Sequence, residues 1–481
     1  MNNLMLFLPE TVCLLGALAL FAAQVFGARY TVVWITSMLC GVAATFASVW
    51  TWDLKGEPFF PGVYHVDFFS QFIKAMLAAG FFFVAAISSR PQTVRSDAWS
   101  ELPMFLLLAT TGMMMLASAT ELITLYISME LAAYPVYIAV ALHRNGHTGG
   151  ESSTKYMLQG MVASAITLYG LSFIFGLTGS TYGVDIVLQL ETLAGQPLFW
   201  LAAMLVLSGF LFKLAGFPFH FWAADTYQAA PHEVVTFVAT ASKVAAIAVL
   251  CRIAALVAPA SVEAASVSTV LMWMSVAAMT LGNLAALRQG DLKRLLGYSA
   301  VAHAGYVLIG IQAMSATGLT AALFYAMGYA AMSGLCFLVV VELGRDEDLV
   351  TVESLAGLHE RAPLLAGTLL IGLFGLIGLP PTAGFIGKWF LFSAAIEQGQ
   401  FVFVLVAAIN SAVALYYYLL VIRQAYFAES QGGPIPTGVV TLAVAGATTG
   451  LVIAMGVVPG WFWTKAVRAV AALMGQFWVS A

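Results

Sequence analysis

Charged side chains are scarce in this sequence. Only 9% of its 481 residues are Asp, Glu, Lys or Arg, whereas 61% are hydrophobic. A soluble domain carries about 25% charged residues, so the composition excludes a soluble domain of any size. The net charge of −4 rests on too few groups to indicate a nucleic acid or another charged partner. The sequence therefore predicts an all-α polytopic membrane protein.

Cysteine is also rare. The four cysteines lack the spacing of a metal site and fall in apolar stretches, where they are expected to be small core residues: Cys13, Cys40, Cys251 and Cys336. No G-x-G-x-x-G occurs at a strand–helix turn, where a dinucleotide would bind. The first apolar stretch is not preceded by basic residues, which favours a spanning helix over a cleaved signal peptide.

Long apolar runs are what this sequence has in abundance. At about 20 residues per span, they predict fourteen helices, with approximate limits of 4–26, 31–52, 66–88, 102–119, 121–142, 156–177, 197–219, 233–257, 267–288, 294–314, 318–343, 363–396, 401–427 and 437–458. Only the connections 178–196 and 344–362 are long enough to hold structure of their own. Trp461, Trp463, Lys465 and Arg468 make residues 460–478 a predicted amphipathic tail at the membrane interface.

The stretch 205–231 is the most informative one. It carries Lys213 inside an apolar run, and Pro218 follows, where a helix must break. A lysine in hydrocarbon costs about 3 kcal/mol on insertion scales. The pattern F-x-L-x-G-x-P occurs at 212–218 and again at 374–380, with Lys388 beyond the second copy. Buried charges beside broken helices are typical of transporter ion sites, so helices seven and twelve are predicted to be broken members of an internal repeat.

Basic residues predict the orientation of the chain. Of the 19 Lys and Arg, eleven lie at odd-numbered connections and four lie within predicted helices. The other four, Lys55, Arg252, Lys465 and Arg468, are counted with the even-numbered connections or the tail. By the positive-inside rule the odd connections are cytoplasmic, and an even helix count puts both termini on the outer side. Helices seven and twelve then cross in opposite directions, so the repeats are inverted. Five-helix units are predicted at 101–258 and 266–428, flanked by segments 1–100 and 437–481.

Five ionisable residues fall on five different helices of the two repeats: Glu130, Lys213, Lys243, His303 and Lys388. Intramembrane ionisable residues normally face a partner or a wet cavity, and Lys213 is the predicted partner of Glu130. Purely structural interpretations also stay open. Among them are a static Glu130–Lys213 ion pair, a core histidine at position 303 and a Lys388 side chain that extends to the membrane surface. Further candidates with weaker support are His220 and His232, which flank the first break, and Lys74 in the third helix.

Proton transfer is the chemistry that this set favours. Burial lowers the pKa of a lysine and a nearby carboxylate raises it again, so a lysine held between these effects can release and regain a proton near neutral pH. A sodium or potassium path would require carboxylates and carbonyls instead. Three buried lysines in the repeats stand against one central carboxylate, and this ratio favours protons.

These residues resemble a known family. The segment GFLFKLAGFPFHFWAADTYQAAP is similar to the helix-seven signature of the antiporter-like subunits of respiratory complex I, which are related to subunits of sodium/proton antiporters. The resemblance covers essentially the whole chain. GLPPTAGFIGKWFL is most similar to subunit N, because subunit M has a glutamate where Lys388 stands and subunit L is much longer. The family often has W-x-P-D after the break, whereas this chain has Trp222-Ala223-Ala224-Asp225.

The resemblance implies a role for each site residue and a set of partners. Glu130, Lys213, Lys243, His303 and Lys388 would carry protons in one pumping module of an NADH:quinone oxidoreductase in the bacterial inner membrane. Subunits M and K would be neighbours, and no flavin, iron–sulfur cluster or nicotinamide would bind this chain. The alternatives are a cation/proton antiporter subunit, a related complex with another electron donor, and a structural membrane subunit whose buried charges no longer act.

Overall fold

The computed structural model describes residues 5–54, 60–144, 146–193, 195–258, 261–344, 349–430 and 432–478. Its membrane helices are α1 (Leu8–Val25), α2 (Tyr30–Trp50), α3 (Phe68–Ile87), α4 (Glu101–Ser118), α5 (Leu122–Ala141), α6 (Gly146–Thr178), α7a (Pro197–Leu214), α7b (Phe221–Ala229), α8 (His232–Val257), α9 (Ser261–Ala286), α10 (Leu292–Gln312), α11 (Ala316–Leu343), α12a (Pro363–Ile377), α12b (Ala383–Glu397), α13 (Phe401–Phe427) and α14 (Val439–Val457).

The expected number of spans is confirmed. Thirteen helices in the described part of the chain are long and apolar enough to cross a membrane, and α12, in two pieces, makes a fourteenth crossing. The tail forms one further helix, α15 (Gly460–Trp478). The connection 178–196 holds two short helices, Gly183–Leu188 and Leu190–Leu193, and the other long connection holds Leu358–Arg361.

Two basic residues are placed differently from the expectation, and this matters for the distribution of charge. Helix α6 begins at Gly146, so Lys155 lies in its first turns rather than in a connection. Arg252, counted with an even connection, lies inside α8 and is buried. Its guanidinium donates to the carbonyl of Ala117 at 3.0 Å, so protein groups replace the water that a loop position would have offered.

Both expected breaks are present, but their registers differ by one residue. Helix α7a ends where Ala215 adopts a left-handed conformation (φ 61°), and α12a ends at Gly378 (φ 90°). In each break the next amide closes the last turn, from Gly216 to Leu211 and from Leu379 to Phe374. The structurally equivalent residues are thus Ala215 and Gly378, whereas the sequence pattern pairs Gly216 with Gly378. A glycine tolerates this conformation without strain and an alanine does not.

The odd-numbered connections meet at one face of the protein. Val94 pairs with His143, which joins the third and fifth connections, and Asp291 pairs with Thr351, which joins the ninth and eleventh. The ammonium of Lys293 donates to the carbonyl of Ala230, 3.0 Å away, and so adds the seventh connection. Most basic residues of the connections therefore share one face, as the alternation of crossings requires.

The even-numbered connections meet at the opposite face. Tyr64 pairs with Ala119, which joins the second and fourth connections. Gln312, the last residue of α10, and Gln400, which follows α12b, bond to each other through their side-chain amides. The tail helix α15 lies at the same face, where Arg468 forms an ion pair with Asp53.

Candidate functional site

The first part of the site lies between α5 and α7a. Glu130 is buried at the centre of α5, and Lys213 lies in the last turn of α7a. The Lys213 ammonium donates to the carbonyl of Met129 at 2.9 Å. Among the described residues no direct ion pair joins the two side chains, although the carbonyl that holds the Lys213 ammonium belongs to the residue before Glu130. Glu130 Oε1 is buried without a hydrogen-bond partner among the described residues.

The first break is closed by an aromatic side chain that sequence reasoning left out. The indole of Trp222, in α7b, donates to the carbonyl of Phe212 at 2.8 Å. That carbonyl lies in the last turn of α7a and also accepts from the amide of Ala215 at 2.9 Å, so Trp222 adds a second donor at the helix end. Asp225, where the family often has the same residue after a proline, pairs with Arg294 at 2.7 Å. The contacts of Trp222 and Asp225 thus flank Ala224, which stands where the family often has proline.

Lys243 continues the site into α8. A π-helical turn, Val238–Ser242, comes directly before it, and such bulges in helices are frequent at functional sites. The Lys243 ammonium donates to the carbonyl of Ala300 in α10 at 2.9 Å and lies 5.5 Å from the centre of the Tyr329 ring. Lys243 thus links the first repeat to the second.

His303 lies one turn beyond Ala300 on α10 and is fully enclosed by aromatic side chains. Its Nδ1 is 2.6 Å from the Tyr325 hydroxyl, and its Nε2 is 3.3 Å from the Tyr418 hydroxyl. The Tyr418 hydroxyl also hydrogen-bonds to Ser299. A histidine between two hydroxyls can accept a proton on one nitrogen and donate one from the other.

Lys388 occupies the second break. Its ammonium donates to the carbonyls of Leu376 and Ile377, at 3.2 and 2.9 Å, and to Ser411 Oγ at 3.2 Å. The Tyr306 ring centre is 4.4 Å away, and its hydroxyl accepts from Ser411 at 3.0 Å. Lys388 has no ion pair with any described carboxylate. Polar backbone atoms of the break, rather than a counter-ion, therefore hold this ammonium.

Lys243, His303 and Lys388 thus form a row that leads from the first repeat into the second, and Glu130 and Lys213 are neighbours in the first repeat. The Tyr329 ring lies near both the His303 ring and the Lys243 ammonium, with centre distances of 5.1 and 5.5 Å. The Tyr306 ring lies near both the His303 ring and the Lys388 ammonium, with centre distances of 5.7 and 4.4 Å. The tyrosines that fill the spaces were not anticipated: Tyr306, Tyr325, Tyr329 and Tyr418. Their sequence signal was tyrosine recurring inside otherwise apolar spans, as in GYSAVAHAGY and FYAMGY. Hydroxyl groups at these positions can relay protons between charged groups that do not touch.

The three weaker candidates lie away from this row. His220 stacks on Phe221 within the first break, with ring centres 4.5 Å apart. His232 begins α8 at the face of the odd connections, and its amide donates to Thr93 Oγ1 at 3.2 Å. Lys74 forms a buried ion pair with Glu10.

Inverted broken helices around an enclosed row of ionisable groups define a membrane protein that moves ions or protons across the bilayer. Comparison with known proteins gives the family. Residues 119–414 match the family model described as NADH:quinone oxidoreductase/Mrp antiporter, TM. The chain belongs to this family.

Individual relatives match most of the chain. It is 41% identical to NADH-quinone oxidoreductase subunit N 2 of Opitutus terrae, with 91% of each chain covered. It is 43% identical to the protein of that name from Syntrophobacter fumaroxidans, covering 89% of this chain and 90% of the other. Among solved structures, a chain of respiratory complex I from Thermus thermophilus with bound aureothin is 33% identical, with a TM-score of 0.82 and coverage of 95% and 99%.

Proposed function

We propose that this chain is a proton-translocating membrane subunit of an NADH:quinone oxidoreductase, of the type named subunit N. The row from Glu130 through Lys213, Lys243 and His303 to Lys388 carries the proposal, because it combines groups that exchange protons with two breaks at which geometry can change. The relatives named subunit N support the assignment to a redox-driven complex.

In this proposal the chain performs no redox chemistry and binds no flavin, iron–sulfur cluster or nicotinamide. Subunits M and K of the same complex are its neighbours in a bacterial inner membrane. The face of the odd connections is cytoplasmic, and both termini lie on the outer side. Redox energy reaches the chain as a conformational or electrostatic change at its contacts with other subunits.

The proton would move by changes in the balance of charge. Withdrawal or neutralisation of Glu130 removes the interaction that favours the charged form of Lys213, and Lys213 then releases its proton. Lys243 and His303 accept protons in turn, with the tyrosine hydroxyls between them. Lys388 is the terminal group, because it has carbonyl and hydroxyl contacts but no described counter-ion that would keep it charged.

Substitution of Lys388 by Met tests the proposal. Met keeps the approximate volume but removes the proton site, so the complex should assemble and oxidise NADH while fewer protons move per electron pair. The measurement is proton translocation per two electrons in proteoliposomes. Lys155→Met is the matched control, because Lys155 is exposed and pairs with Glu151 on the same helix. An unchanged ratio in fully assembled Lys388→Met complex would remove Lys388 from the pathway.

A further inference from the structure

A second buried ionic cluster lies outside the two repeats, among the three N-terminal helices. The Lys74 ammonium of α3 is 2.6 Å from Glu10 Oε1 of α1, and the two side chains are 0% and 6% exposed. The Tyr64 hydroxyl donates to the same carboxylate oxygen. The other oxygen, Glu10 Oε2, is buried and has no hydrogen-bond partner among the described residues. One carboxylate oxygen therefore has both an ion-pair contact with Lys74 and a hydrogen bond from Tyr64. The second oxygen is left to accept a proton or a water molecule.

The cluster is connected to the helix that carries Lys243. Asp67, which caps α3, is 3.5 Å from the guanidinium of Arg252, in the outer half of α8. The same guanidinium donates to the carbonyl of Ala117, near the end of α4. The amide of His65, next to Tyr64, donates to the carbonyl of Ser118, the last residue of α4, at 2.8 Å. Tyr64, which bonds Glu10, thus belongs to the same short connection as His65 and Asp67, and Asp67 contacts Arg252 of α8.

The depth of Lys74 follows from the packing of α3 against α8. The two helices approach closely at Gly80, where an added Cβ would lie 3.2 Å from that of Ala241. At 1.5 Å per residue, Lys74 lies about 9 Å from this contact toward the even-connection face, and Lys243 lies about 3 Å in the same direction. Measured along the helix axes, Lys74 therefore lies only about 6 Å nearer to the even-connection face than Lys243 does. The Asp67–Arg252 contact, still closer to that face, fits the same register.

A gain in folding stability does not explain why the Glu10–Lys74 ion pair is buried. Removing two charges from water offsets most of their attraction, and well-packed apolar side chains of similar volume are often as stable. In hydrocarbon the cost of each charge is higher still. The exposed pair Asp53–Arg468 holds α15 to the same face without burying a charge. A buried acid and base in direct contact, each with a neighbouring polar group, are suited to passing a proton.

We propose that Glu10 and Lys74, with Tyr64, form a proton-release site between Lys243 and the outer face. In this site Lys74 gives a proton from its ammonium to Glu10, which leaves a neutral amine and a carboxylic acid. Glu10 gives that proton to outer water, and Lys74 regains one from the direction of Lys243. One proton moves outward and every group returns to its starting state. This inference rests on the proposed proton-translocating function and adds to it a release branch through the N-terminal helices.

Two variants of the assembled complex test the site. Glu10→Gln together with Lys74→Met removes both charges, so no single charge is left buried. Lys74→Arg keeps the ion pair, but a guanidinium does not release its proton. Both variants should assemble and retain uncoupled NADH oxidation, while proton translocation per two electrons falls to the level of the Lys388→Met complex. Asp53→Asn together with Arg468→Met is the control, and its ratio should stay unchanged.

The possible outcomes separate this inference from the function on which it rests. A normal ratio in Lys74→Arg, beside a lowered ratio in Lys388→Met, would overturn the release site alone and leave Glu10–Lys74 as a structural pair. Normal ratios in both would overturn the proposed function. If the double variant fails to assemble, Lys74→Arg decides the question, because its charges and contacts are preserved.

Discussion

Lys213 donates its hydrogen bond to the carbonyl of Met129 and not to the carboxylate of Glu130, the next residue on the same helix. The ammonium is thus held beside the carboxylate without being bound to it. A bonded pair would be locked by mutual attraction in a medium of low dielectric constant. A carbonyl keeps the ammonium in place whatever the protonation state of Glu130, so a small movement of α5 can change the interaction between the two charges. We predict that the carboxylate and the ammonium lie within about 4–6 Å of each other or are joined by one water molecule.

We expect Lys213→Ala to lower proton translocation more than Lys213→Arg. Alanine removes both the proton site and the charge that acts on Glu130. Arginine keeps the charge and can still donate to a carbonyl, although it does not release its proton. The measurement is the proton-to-electron ratio in proteoliposomes, with Lys155→Ala as the exposed control. Equal ratios in the alanine and arginine variants would show that the charge at this position does not act on Glu130.

Tyr418→Phe should slow proton transfer through the second repeat. The substitution removes one hydroxyl that contacts both Ser299 and His303, and it preserves the ring. Leaving buried polar partners unpaired costs about 1–3 kcal/mol, so a lower melting temperature should accompany the loss of pumping. Tyr416→Phe is the control, because Tyr416 lies on the same helix and is 60% exposed. A Tyr418→Phe complex with unchanged pumping would argue that the hydroxyl only supports packing.

Both termini should be accessible from the outer side of the membrane. Cysteines placed at residues 2–3 and 479–481, which lie outside the described residues, should react with a membrane-impermeant thiol reagent in intact cells. A cysteine in place of Arg90, which is exposed at the face of the odd connections, should react only after the membrane is opened. Labelling of the termini from the cytoplasm alone would contradict the basic-residue argument.

Lys74 shows where sequence reasoning reached its limit. A lysine inside an apolar span is visible in the sequence, so Lys74 was a candidate, although a weaker one because it lies outside the repeats. Its partner Glu10 was not a candidate, because a carboxylate near the start of the first apolar run is also what an exposed helix end would carry. Only the packing of α1 against α3 buries Glu10 and brings it to Lys74. Arg252 was misplaced for the same reason, since its burial depends on α3, α4 and α8 meeting at one face.

The sequence by itself determined the number of crossings, the two breaks, their opposite directions and the five helices that carry the ionisable row. These properties follow from local physical rules. An apolar run of about 20 residues spans the bilayer, a proline ends a helix, and a charge in hydrocarbon needs a partner or a wet cavity. Tertiary structure alone decided what each charge contacts. Met129, Ala300 and Ile377 accept from the three lysines through backbone carbonyls. A carbonyl is present at every residue of the sequence, so no pattern of side chains could have indicated which ones would be used.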